Sequence, residues 1–137
     1  MTSDYVEWSD ALALGIPEMD SQHRRLVDLT NHLHEAMLQR KSNEVLGDII
    51  FRLIDYTKFH FRDEETCMIQ SGFPQTTSHR EKHQKFVSEM EKFKADFETG
   101  KTMLSMEIMD FLKGWLVEHI QHADHEYVSY FNESCRD

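Results

Sequence analysis

The feature that most constrains the fold is an apolar spacing that recurs in four long stretches of the chain. Within each stretch, apolar residues return at alternating intervals of four and three positions, as in a helix that packs nearly parallel or antiparallel to its neighbours. No segment alternates apolar and polar residues with a period of two, so strands are not indicated. The fold class is therefore all-α. The predicted helices are about 18–39, 43–70, 76–98 and 103–130.

Glycine and proline mark the boundaries between these helices, although the chain has only five glycines and two prolines. They end an N-terminal arm, 1–17, and form turns near residues 72 and 100, while 41–42 provides another short break. Short connections favour an antiparallel up-down-up-down four-helix bundle. A chain of 137 residues is large enough for one core and too short for two, so 1–137 is predicted to form a single domain.

Charge and composition exclude several classes of partner. The formal net charge of −10 repels phosphate backbones, so nucleic acid is not expected as a partner. No apolar run approaches the roughly 20 residues of a membrane span, and the acidic N-terminus does not resemble a signal peptide. We therefore expect a cytoplasmic protein without a membrane partner, and the sequence identifies no protein partner. Cys67 and Cys135 are too few for a disulfide framework, and Cys67 is expected to be a small core residue.

Nine histidines are the one unusual feature of the composition. Five of them, with one glutamate, occupy the predicted core faces, where apolar residues are expected. Antiparallel neighbours place residues at equal distances from a shared turn at equal heights, and by this count the polar positions of all four helices are level. These positions are His23, His60, Glu64, His79, His83 and His119.

A metal centre explains why such groups are buried together, since an unpaired buried polar group costs roughly several kcal/mol. His60 and Glu64, like His79 and His83, have the four-residue spacing that directs two side chains at one ion. Imidazole and carboxylate together suit iron, zinc, copper or manganese. Five imidazoles are too many for one tetrahedral zinc, so two metal ions bridged by carboxylates fit better.

The fourth helix leaves its second ligand open. His122 continues the core face three positions after His119, whereas Asp124 follows His119 by five positions, about 140° around an ideal helix. The residues alone favour neither His122 nor Asp124.

The complete pattern resembles the hemerythrin family, specifically the bacterial type. The resemblance covers nearly the whole chain, including an arm with Trp8 and the segment "LGIPEMDSQH". The matching motifs are D-x-Q-H at 20–23, H-x-x-x-E at 60–64, H-x-x-x-H at 79–83 and H-x-x-x-x-D at 119–124. The resemblance implies a centre of two iron ions with an oxygen bridge. It would place His79, His83 and His119 on one iron, His23 and His60 on the other, and Glu64 and Asp124 between them.

The function that this resemblance implies is reversible dioxygen binding for storage, delivery or sensing, rather than enzymatic catalysis. Two alternatives are a di-iron oxidase or peroxidase that protects against oxygen or peroxide, and a signalling module that responds to oxygen or iron. Tyr127 is a candidate to close one end of the oxygen pocket. The implied pocket residues are Leu26, Phe61, Trp115, Leu116 and Ile120.

The spacing of His119 and Asp124 also predicts a local irregularity. For both side chains to reach one metal pair, the fourth helix must contain an extra residue in one turn, as a π-bulge, or loosen near its end. A regular α-helix from Trp115 to Tyr127 would instead give the ligand role to His122 or Glu126.

Overall fold

Four long α-helices form an antiparallel bundle in this computed structural model, which describes residues 5–131. The fourth continues into a π-helical turn, His119–Ala123, and a 3-10 turn, Asp124–Tyr127. The described residues contain no strand, and the all-α prediction is confirmed. None of these helices is long and apolar enough to cross a membrane. The α-helices are α1 (Pro17–Leu38), α2 (Asn43–Gln70), α3 (Thr76–Glu98) and α4 (Met106–Glu118).

The bounds of α2 and α3 agree with the sequence prediction residue for residue, whereas those of α4 do not. α4 begins at Met106 and not at 103 because Ser105 caps it: the Ser105 backbone is extended and its hydroxyl accepts a hydrogen bond from Ile108 N–H at 3.4 Å. Helical structure ends at Tyr127, and residues 128–130 form a turn, so the predicted end at 130 is also wrong.

The first three helices end in the same hydrogen-bonded turn. In α2, Phe73 N–H donates to the carbonyl oxygen of Met68 at 3.0 Å, which satisfies a carbonyl that the helix itself leaves unpaired. This turn requires a left-handed residue just after the cap. Gly72 provides it in α2 and Gly100 in α3, with φ of 71° and 78°, while Arg40 adopts φ 55° after α1. These tight ends reverse the chain within a few residues.

Two apolar clusters fill the interior, and the buried polar residues lie between them. The larger cluster contains Leu26, Phe61 and Ile120 and extends along most of the bundle. The smaller cluster closes the other end. Its members are Leu14, Ile16, Met19, Cys67, Met68, Phe73, Tyr127 and Phe131. Cys67 is therefore the core residue that the sequence predicts, whereas Cys135 lies outside the described residues.

Polar side chains of α1 hold the N-terminal arm. Asn31 accepts a hydrogen bond from Val6 N–H at 2.7 Å and donates one to the Val6 carbonyl at 2.9 Å. Asp20 accepts from the N–H groups of Leu14 at 2.8 Å and Gly15 at 3.2 Å. The aspartate of the D-x-Q-H motif thus fixes the arm beside the turn of α1 that also holds the motif's histidine.

Candidate metal centre

Seven polar side chains converge between the two apolar clusters, and each is buried. They form two groups in which the ligand atoms lie within 4.8 Å of one another. One group contains three histidines and the other contains two, and both groups include the same two carboxylates. The larger group is Glu64, His79, His83, His119 and Asp124, and the smaller is His23, His60, Glu64 and Asp124.

Glu64 divides its two oxygens between the groups. Its Oε1 lies 3.0 Å from His79 Nε2 and 3.1 Å from His83 Nε2, and its Oε2 lies 3.2 Å from His60 Nε2. His23 Nε2 is 3.6 Å from Oε2. A carboxylate that presents one oxygen to each histidine group has the arrangement of a bridging ligand.

Asp124 divides its oxygens in the same way. Its Oδ1 lies 3.0 Å from His79 Nε2 and 3.1 Å from His119 Nε2, while Oδ2 lies 3.1 Å from His23 Nε2. Despite these distances, neither oxygen of Asp124 and neither ring nitrogen of His23 forms a hydrogen bond, because the angles are unsuitable. Buried polar atoms that lie this close without a hydrogen bond fit a site in which a cation is held between them.

The positions of the histidine nitrogens also fit a bound cation. Nε2 of His83 and Nε2 of His119 face each other at 3.0 Å, where at most one proton can separate them. Both rings are buried, so the two nitrogens meet inside the cluster. The donor set of imidazole and carboxylate suits transition metals, and the described residues therefore contain a cluster able to bind metal.

Two residues that the sequence did not predict as part of the site hold the Nδ1 atoms of His60 and His83. Gln22 accepts from His60 Nδ1 at 2.6 Å, and its own amide nitrogen donates to Asp63 at 2.8 Å, which determines the orientation of the amide. Glu65 lies 2.8 Å from His83 Nδ1. Such partners select the ring tautomer that leaves Nε2 available to a metal. The available signals were the position of Gln22 beside His23 and the doubled glutamate at 64–65.

Tyr127 contacts the centre from the side of the smaller apolar cluster. Its hydroxyl donates to Glu64 Oε2 at 2.9 Å, and its ring stacks on Phe131 with centroids 4.0 Å apart. Burial raises the pKa of Tyr127 well above its usual value, with the charges of Asp124 and Glu64 adding to the effect, so the hydroxyl remains a donor. Tyr127 is not among the residues that line the apolar cavity described below.

The π-helical turn explains how Asp124 reaches the cluster. A π-helix accommodates five residues where an α-helical turn has four, and His119–Ala123 adopts this conformation. His119 and Asp124 are consequently both buried in the cluster, whereas His122 and Glu126 are exposed. The predicted π-bulge is confirmed, and the structure places Asp124, and not His122, in the cluster.

Electrostatics within the cluster keep both carboxylates charged. Burial opposes the charged form, but the neighbouring histidines hold the pKa of Glu64 and of Asp124 well below the usual range. Burial lowers the pKa of His60. For His23 and His79 the same effect of burial is outweighed by Asp124 and Glu64, which raise each pKa to about 9. Without metal, these two histidines are therefore protonated at neutral pH.

An apolar cavity adjoins the smaller histidine group. His23, His60, His119 and Asp124 form its polar end, while His79 and His83 do not line it. The cavity volume is about 20 Å³, enough for one molecule of about the size of water. All five predicted pocket residues line it: Leu26, Phe61, Trp115, Leu116 and Ile120.

Two threonines also border the cavity, but their hydroxyls are engaged elsewhere. Thr30 donates to the carbonyl oxygen of Leu26 at 2.9 Å, and Thr57 donates to that of Leu53 at 2.6 Å. Each bond lies within one helix, as is common for buried threonine. Neither threonine hydroxyl is therefore free to donate to a guest molecule.

Fold and site together define a class, the four-helix bundle with a buried metal-binding cluster of histidines and carboxylates. Residues 14–131 match the family model of the hemerythrin HHE cation binding domain. The chain belongs to the hemerythrin family.

Several relatives resemble the chain over most of its length. A bacteriohemerythrin from Pseudomonas aeruginosa is 35% identical over 124 residues, which is 90% of this chain and 80% of the relative. A bacteriohemerythrin from Clostridium acetobutylicum is 31% identical, with 88% of this chain and 97% of the relative covered. The crystal structure of a wild-type hemerythrin superposes with a TM-score of 0.87 at 28% identity, covering 92% of this chain and 97% of that one.

The pKa values predict how pH changes the stability of the metal-free protein. Because the folded pKa of His23 and of His79 is about 9 and the ordinary value is 6.5, their contribution to stability is complete below about pH 6.5 and disappears as pH rises through 9. We expect the melting temperature of chelated protein to fall by roughly several degrees between pH 7 and 9.5, measured by circular dichroism. Metal-loaded protein is the control and should not show this loss. A melting temperature of the chelated protein that stays constant or rises would contradict the assignment.

Whether Asp124 or His122 serves as a metal ligand can be tested directly. Asp124→Ala removes a buried carboxylate shared by both groups, whereas His122→Ala removes an exposed imidazole outside them. We expect Asp124→Ala to reduce the metal content of purified protein to less than about a tenth of normal, with His122→Ala unchanged. Elemental analysis measures both variants. If only His122→Ala lost metal, the ligand role would be assigned to His122 instead of Asp124.

Proposed function

We propose that this chain holds an oxygen-bridged pair of iron ions and binds dioxygen reversibly beside His23 and His60. The observation that carries the proposal is the position of the apolar cavity, which is lined by both histidines of the smaller group but by only one of the three in the larger group, His119. A small apolar molecule that enters the cavity therefore meets the metal position with fewer protein ligands. A cytoplasmic location remains a prediction from the sequence.

The numbers of ligands support this asymmetry. The larger group offers three histidines and two carboxylate oxygens, so an oxygen bridge would complete six coordination positions. The smaller group offers two histidines and two carboxylate oxygens, which leaves one position for an external ligand. When bound, the iron pair would supply the electrons for reversible binding of dioxygen.

The protein's own contribution is to exclude water and fix the ligands. Leu116 and Ile120 are buried in the wall next to His119, and Phe61 and Trp115 complete the apolar surface. Because Thr30 and Thr57 direct their hydroxyls to their own helices, neither hydroxyl is available as a proton donor in the cavity. An apolar pocket that limits the access of water favours the release of unchanged dioxygen over oxidation of the centre.

Tyr127 and Gln22 hold the charged end of the site. The Tyr127 hydroxyl donates to the Glu64 oxygen that faces His60, and Gln22 orients the His60 ring from the opposite side. These hydrogen bonds fix the geometry of the smaller group without occupying the side that faces the cavity. The group is thus preorganised for an external ligand.

The proposal can be tested by iron analysis and visible spectroscopy. The protein is loaded with ferrous iron under inert gas, analysed for close to two irons per chain, and then exposed to air and to argon in repeated cycles. We expect a charge-transfer band that appears in air and disappears in argon over many cycles. A single tightly held zinc would contradict the di-iron assignment. Irreversible bleaching with turnover of peroxide would support the oxidase or peroxidase alternative instead.

The apolar wall generates a prediction for two variants. Leu116→Glu and Ile120→Glu each place a carboxyl group in the cavity, where it admits water and can donate a proton. We expect autoxidation in air to accelerate by about 10-fold or more, with iron content unchanged because no ligand is lost. Stopped-flow absorbance measures the rate.

The chain offers matched controls for these variants. Leu38 and Ile69 are 59% and 62% exposed, so Leu38→Glu and Ile69→Glu make the same chemical changes outside the cavity. Both controls should autoxidise at the parental rate. Equal rates in all four variants would mean that Leu116 and Ile120 do not border the dioxygen site.

A further inference from the structure

Glu65 lies beside the metal cluster but belongs to neither ligand group. Its two carboxylate oxygens have separate partners. Oε2 is 2.8 Å from His83 Nδ1, and Oε1 is 3.1 Å from Arg80 Nε. Because a carboxylate can only accept, His83 Nδ1 carries the proton in this contact and Nε2 presents its lone pair to the centre. Glu65 therefore connects a buried histidine to an arginine at the surface.

The orientation of His83 does not depend on Glu65 alone. The Phe61 ring stacks on the His83 ring with centroids 3.7 Å apart and planes within 1° of parallel. The corresponding histidine of the smaller group, His60, has the neutral amide of Gln22 as its partner. In each group, one histidine therefore has a hydrogen-bond acceptor at Nδ1. The acceptor is a charged carboxylate for His83 and a neutral amide for His60.

We propose that Glu65 and Arg80 together set the oxidation preference of the metal ion held by His83. A carboxylate behind a histidine ligand makes the imidazole a stronger electron donor, which favours the more highly charged metal ion. The guanidinium of Arg80 opposes this effect by withdrawing charge from Glu65. The inference rests on the proposed di-iron function and assigns a regulating role to residues outside the ligand set.

Solvent exposure determines the relative size of the two effects. The side chain of Glu65 is 21% exposed, whereas that of Arg80 is 48% exposed and is more strongly screened by water and salt. Removing the charge of Glu65 should therefore change the oxidation preference more than removing that of Arg80. The two changes should also have opposite signs, which a role in orientation alone does not produce.

The experiment compares Glu65→Gln and Arg80→Gln in iron-loaded protein by potentiometric titration with redox mediators under inert gas. Each ferric ion takes up one electron from the mediator, and no bond to Glu65 forms or breaks. In Glu65→Gln, which retains an acceptor without its charge, we expect the preference for ferric over ferrous iron to fall by about 10-fold, a rise in midpoint potential of about 59 mV. In Arg80→Gln we expect a smaller decrease in midpoint potential. Iron content should equal that of the parent in both variants.

Two controls break comparable ion pairs away from the ligands. Glu91→Gln separates Glu91 from Lys58, and Arg52→Gln separates Arg52 from Asp48. Shifts of Glu65→Gln and Arg80→Gln in the same direction, or shifts no larger than those of the controls, would overturn the inference. Two bound irons with unchanged potentials would contradict only the role of Glu65 and Arg80. A parent protein without iron would contradict the proposed function as well.

Discussion

The burial of two carboxylates, Glu64 and Asp124, is the constraint on which the rest of the structure depends. Neither has measurable exposure, and an isolated buried carboxylate is too costly for a domain of marginal stability. Five imidazoles compensate for them, and these imidazoles come from all four parts of the bundle. The helices must therefore meet at one level, which their tight, hydrogen-bonded ends allow. Stability and ligand geometry consequently depend on the same register.

The sequence predicts the regular parts of this arrangement because local signals determine them. Gly72 and Gly100 permit the left-handed residues that end α2 and α3, so the ends of these two helices follow from the chain itself. The start of α4 was misplaced because Ser105 caps the helix and no earlier residue does so. The level of the histidines could be counted from the turns, because an antiparallel bundle fixes height through chain length.

Other parts of the site depend on directions that sequence periodicity does not contain. Tyr127 follows an irregular turn, so its side chain points to the smaller apolar cluster and binds Glu64 instead of lining the cavity. Gln22 and Glu65 were missed because residues of their types occur on many exposed helix faces, and only their rotamers bring them to His60 and His83. The threonines beside the cavity are misleading for a different reason. Their residue type suggests a polar wall, but their hydroxyls bond to carbonyl oxygens of their own helices.

The π-helical turn has a consequence for the spacing of ligands along a helix. His119 and Asp124 are separated by one residue more than the four-residue spacing of His60 and Glu64, yet both pairs reach the same cluster. In a regular helix, one added residue rotates everything beyond it by about 100°. The π turn confines that disturbance to His119–Ala123, so Tyr127 and Phe131 still pack in the apolar end. The last helix can thus carry a five-residue ligand spacing, whereas one residue added between the paired ligands of α2 or α3 in a regular helix would turn one of them away from the centre.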